Sequence, residues 1–196
     1  PRSTQGRSSA ASDVYKRQHQ DIAIGGHSGG AVRATYTQST THFENVKALI
    51  PVSPGEYYHA GIAKLHGKKF EESFSLAEFH IANGNPDHLM QPGIPWGSTW
   101  TATSFIDCFN RDDRYQVSQH ALEIQIPTRF IFGELETTIG GPEELPVCGL
   151  ARQTIEKHIG ENHPQLSLSV IESANHGYAG KELSLYETVH SFIKSI

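Results

Sequence analysis

The residues with the plainest chemical potential lie near the start of the chain, where Gly26-His27-Ser28-Gly29-Gly30 sets a serine in a G-x-S-x-G pattern. A serine hydroxyl is a poor nucleophile at neutral pH. It becomes one when an imidazole takes its proton and a carboxylate orients that imidazole. Attack on a carbonyl then builds an oxyanion, which needs N–H donors aimed at it. A helix starting just after Ser28 would point its unpaired first N–H groups and its positive dipole end at that place, making the N–H of Gly29 the natural first oxyanion donor. The glycines suit an abrupt strand-to-helix turn, where side chains two positions either side of the serine would collide. Taken alone, the pattern equally fits a glycine-rich turn that merely packs tightly.

The surrounding elements decide between these readings. Residues 21–25 form a short apolar run closed by glycines and predict a strand, and the small residues of 29–36 predict a helix. A second strand is expected over 46–52, ended by Ser53-Pro54-Gly55. A helix-sized crossover between two strands suggests a parallel βαβ unit. From Glu56 to about Arg114 the pattern loosens, with turns at 84–87 and 92–97. Order returns with a third strand over 126–133 and a helix over 142–158, where Leu150, Ile155 and Ile159 fall near helical spacing. The alternation of 166–171 predicts a fourth strand. Leu185, Val189, Phe192, Ile193 and Ile196 give the last segment an apolar helical face. Strands alternating with helices argue for an α/β layer architecture.

Composition bounds the class. One domain is expected from 196 residues, and a net charge of -5 leaves no positive excess for nucleic acid or an anionic membrane. No apolar run reaches the length needed to span a bilayer. Cys108 and Cys148 fit no metal-ligand spacing, which leaves free thiols or one bridge; free thiols are favoured, and with them a reducing, cytoplasmic setting. Twelve histidines include no H-E-x-x-H or other paired-ligand spacing, so a metal site is not expected. Residues 1–18 are polar and lack an initiator Met. Their stretch 8–18 resembles translated adapter sequence, although a natural disordered tail has similar composition. The domain is therefore read as 19–196.

Residues 21–31, Asp-Ile-Ala-Ile-Gly-Gly-His-Ser-Gly-Gly-Ala, resemble the nucleophile strand and elbow of the α/β-hydrolase family, and the chain from about Asp21 to Ile196 follows that family's order. The resemblance implies a mostly parallel sheet flanked by helices, with a cap insert at about 55–125. It also implies about four strands ahead of the elbow, and a second oxyanion donor among them, that this chain does not contain. The family order of serine, acid, histidine places Glu136 of Gly133-Glu134-Leu135-Glu136 at the acid position, with Glu134 as its competitor; Asp is the commoner residue there. Ala174-Asn175-His176-Gly177 resembles the family's terminal loop and makes His176 the base. His27 is expected to pack or hydrogen-bond beneath the elbow. Aromatic residues of the insert, among them Tyr57, Trp96 and Trp100, either line an acyl pocket or form the core that holds the cap. The function implied is a serine hydrolase of an ester or related acyl bond acting on a small molecule, with no metal or other cofactor. An acyltransferase and a non-catalytic ligand-binding protein of the same fold are the alternatives.

Overall fold

The computed structural model of the chain describes residues 21–91 and 99–196. The leader, the turn expected at 92–97 and Trp96 lie outside the described residues. Strand β1 (Ile22–His27) runs through Ser28 into helix α1 (Gly29–Thr41), and β2 (Val46–Val52) follows. The segment between β2 and the third strand carries α2 (His59–His66), α3 (Lys68–Ala82), α4 (Ala102–Cys108) and α5 (Val117–Leu122). Then come β3 (Thr128–Gly133), the short α6 (Glu134–Thr137), α7 (Pro146–Gly160), β4 (Leu166–Ile171) and α8 (Glu182–Ser195). The four strands form one sheet in the order β1-β2-β3-β4, every pair parallel.

The period-two geometry of a strand divides the core into two layers. On β3, Phe130 and Phe132 face α1, α7 and the helices of the insert, joining Val32, Val147, Ala151 and Ile155 in one cluster. Ile131 faces the opposite side, with Ala48, Ile50 and Val52 of β2 and Phe192 of α8. The sheet is thus covered on both faces, as parallel sheets are. The strands β2 and β4 coincide with the expected segments. Helix α7 starts at Pro146 rather than at 142, because proline at the first helical position needs no hydrogen-bond acceptor. Along α8, Leu185, Val189 and Phe192 pack on the sheet, but Ile193 and Ile196 are exposed, so the apolar stripe is narrower than its spacing suggests.

Within the insert, Phe70, Phe74, Phe105 and Phe109 are fully buried and in mutual ring contact. Helix α4 is started by a reciprocal pair: the Ser104 N–H donates to Thr101 Oγ1 at 3.1 Å, and the Thr101 N–H to Ser104 Oγ at 3.0 Å. These aromatics are the core of the helical layer. Tyr57 and Trp100 instead reach the cavities beside Ser28, and Phe79 is exposed.

Candidate active site

The turn at Ser28 explains the flanking sequence. Its backbone has φ 56° and ψ -124°, a conformation that costs a non-glycine residue on the order of 1–3 kcal/mol. The Ser28 N–H is held by Val52 O at 2.9 Å. A Cβ on Gly26 would lie 2.3 Å from Gly30 O, so a side chain there is excluded by the turn itself. At Gly30 an added Cβ meets nothing within 4 Å, which corrects the expectation of collision on both sides. Gly29 is the first residue of α1, and its N–H has no acceptor within the helix.

Three loops converge on this turn. The Nε2 of His176 lies 3.0 Å from Ser28 Oγ, and its Nδ1 lies 2.6 Å from Glu136 Oε2. Position 136 is therefore the one that meets the imidazole. Glu134 points elsewhere, accepting the Ser173 N–H at 2.8 Å and steadying the loop that carries His176. The loops are held close by backbone as well: the Leu135 N–H donates to Ala174 O at 2.9 Å, and a Cβ on Gly133 would come within 2.5 Å of that same oxygen. His27 packs its ring 4.7 Å from that of His176 and places Nε2 2.7 Å from the His176 carbonyl, so that nitrogen carries the proton.

Glu136 is fully buried. Burial would raise its pKa, but hydrogen bonds from His176, Ser53 Oγ at 2.6 Å and the Gly133 N–H at 2.7 Å hold the carboxyl below its ordinary range. The third position of α6 lets its side chain fold back onto the Gly133 N–H as in an N-terminal capping box. One carboxylate oxygen is thereby committed to the scaffold, and the other is left for the imidazole.

Two members of this network had no signal in the sequence. Ser53 is fully buried at φ 50°, and Tyr178 stands at φ 56° with its hydroxyl 2.8 Å from Ser53 Oγ. Ser53 has one proton, and it goes to an acceptor-only carboxylate, so the Tyr178 hydroxyl donates to Ser53. In sequence, Ser53 stood only as the start of a strand-ending Ser-Pro-Gly. The useful clue would have been its place at the tip of β2, the strand beside the one that runs into Ser28.

Glu136, Cys148 and His176 also present metal-ligating atoms within 4.8 Å of one another. Their chemistry does not favour an ion. Both Glu136 oxygens already accept hydrogen bonds, and burial pushes the Cys148 thiol well above its ordinary pKa, against the thiolate a metal needs. Both cysteines are free. Ser28 and His176 open into a cavity of about 310 Å³ whose walls include Tyr57, Trp100, Leu145 and Val147. Among the described residues no helix is long and apolar enough to cross a membrane.

No family model matches the sequence, and no curated protein does. Solved structures do match. The α/β hydrolase GrgF from Penicillium sp. sh18 superposes with a TM-score of 0.59 at 13% identity, over 96% of this chain and 70% of its own. Est1E from Butyrivibrio proteoclasticus, bound to ferulic acid, gives 0.54 at 16% identity, over 96% and 66%. A monoacylglycerol lipase from Paleococcus ferrophilus gives 0.53 at 13%, over 88% and 66%. The chain carries part of an α/β-hydrolase fold, and it spans 66% of the length of the Est1E chain.

Proposed function

We propose that the chain bears the catalytic centre of a serine hydrolase that cleaves an ester or related acyl bond of a small molecule. The observation that carries this reading is the unbroken contact from Ser28 Oγ through His176 to Glu136, made by groups 148 and 40 residues apart along the chain. In the proposed cycle His176 Nε2 takes the Ser28 proton as Oγ attacks the carbonyl carbon. The N–H of Gly29 donates to the resulting oxyanion, and Glu136 holds the imidazolium. His176 returns the proton to the leaving alcohol, and an acyl-Ser28 intermediate remains. Water, deprotonated by the same imidazole, releases the acid.

The monoacylglycerol lipase among the similar structures fits this chemistry, and the two free thiols fit a reducing, cytoplasmic setting. The helices between β2 and β3 serve in this reading as the cap, supplying Tyr57 and Trp100 to the pocket. A fluorophosphonate probe tests the assignment: it labels the wild-type protein and leaves Ser28→Ala unlabelled. Labelling that survives the substitution removes Ser28 from the mechanism.

A further inference from the structure

The cavity over Ser28 is adjoined by a second one of about 220 Å³, which opens along the first turns of α1. Tyr57 and Trp100 wall both cavities, while Ser28 belongs to the first and Gly29 to the second. The nucleophile and its oxyanion donor thus stand at the junction. An ester extends in two directions from its carbonyl carbon, and two cavities meeting at that carbon can take one half each.

Their walls differ in charge. Beside Ser28 the lining among the described residues carries no charged side chain apart from the reacting groups. The second cavity has apolar surface from Val32, Trp100 and Tyr115 together with two charged side chains, Arg33 and Asp107. Asp107 is already engaged: Arg114 lies 2.5 Å from one of its oxygens, and the Tyr115 hydroxyl donates to the other at 2.9 Å. Arg33 is exposed and makes no ion pair among the described residues. Its charge nevertheless reaches the cavity wall. The Cys108 thiol is pushed up to about 12, first by burial and then by Asp107, with Arg33 acting against both.

We propose that the second cavity binds the carboxylate-bearing half of the substrate, a short apolar or aromatic group whose far end carries a carboxylate paired with Arg33. A monoanion fits better than a phosphate dianion because the Asp107 carboxylate shares the wall. The inference rests on Ser28 as the nucleophile and narrows the substrate class from esters in general to esters with one acidic end.

Two substrate pairs test it, one with the carboxylate on the acyl side (ethyl hydrogen adipate against ethyl hexanoate) and one with it on the alcohol side (para-acetoxybenzoate against para-tolyl acetate). In one pair the wild-type protein favours the carboxylate in kcat/KM. That preference falls about threefold to tenfold in Arg33→Gln, survives in Arg33→Lys and shrinks with added salt, as expected for one exposed ion pair. Preferences in both pairs that ignore Arg33→Gln overturn the subsite, and turnover of the neutral esters that Ser28→Ala abolishes would then leave the hydrolase reading standing. Should no ester be cleaved, benzoate binding by calorimetry gives the answer: weaker binding to Arg33→Gln supports the subsite, and absent or unaltered binding overturns it.

Discussion

At the scale of single residues, the strength of the site lies in how Glu136 is held. Its carboxylate accepts from Gly133, Ser53 and His176, and Ser53 in turn accepts from Tyr178. In the proposed mechanism Ser53 is therefore a positioning residue, fixing the carboxylate that orients His176. Ser53→Ala removes one of the hydrogen bonds that depress the Glu136 pKa, so that pKa rises. A carboxylate with one donor fewer keeps more charge for the imidazolium, so the acid limb of kcat/KM, set by protonation of the proposed base, should move to higher pH, while kcat falls about tenfold with little change in KM. Tyr178→Phe should shift the limb the same way by less. A variant that merely folds less well would lose active protein without moving the limb, and an unmoved limb in both refutes the role. The depressed pKa also stabilises the fold above the ordinary carboxylate range, a contribution lost as pH falls through the folded-state value. Ser28, Glu136 and His176 were legible because motif and chain order mark them. Ser53 and Tyr178 were not, since their roles come from left-handed backbone at two loops that meet only in three dimensions.

At the scale of elements, the strands were the most legible part. The run 46–52 is mostly apolar and 166–171 alternates apolar residues with serine, and glycine, proline or a polar loop bounds them. The insert was the least legible, because α2, α4 and α5 have eight residues or fewer and its helices pack through phenylalanines whose spacing spans several elements. A buried charge also hides there. Glu56 is 1% exposed just past β2 and accepts from the Ser118 N–H at 3.2 Å and from the Ser118 hydroxyl, capping α5 from a distance. Burial raises its pKa, and the Ser118 hydrogen bonds offset this only in part. A raised folded-state pKa contributes stability that is present below the ordinary value, about 4.3, and lost as pH rises through the folded value. Glu56→Gln keeps an acceptor for Ser118 and removes the ionisation. Thermal melts from about pH 4 upward should show the wild type losing ground to this variant as pH rises. A gap that is constant with pH would mean that Glu56 is no more acid-sensitive than a surface group.

At the scale of the whole molecule, the proposed nucleophile, Ser28, sits at the end of the least protected strand. Among the described residues β1 pairs only with β2, and Ile22, Ala23, Gly25 and His27 are exposed, Ile22 by 38%. Such a composition belongs in the interior of a parallel sheet. An apolar edge with unpaired N–H and C=O groups is a template for another strand. Two copies meeting edge to edge about a twofold axis would pair their β1 strands antiparallel and cover both edges at once. The 196-residue chain on its own is therefore expected to associate through β1, with a mass by light scattering that rises with concentration. Ala23→Lys puts a charge on the exposed strand and should lower that mass at equal concentration, since lysine on an edge opposes pairing. Ser28 follows directly on this strand, so association should also slow fluorophosphonate labelling, and Ala23→Lys should restore it. A chain that stays monomeric at every concentration and unfolds in one cooperative step would show that the β1 edge needs no partner.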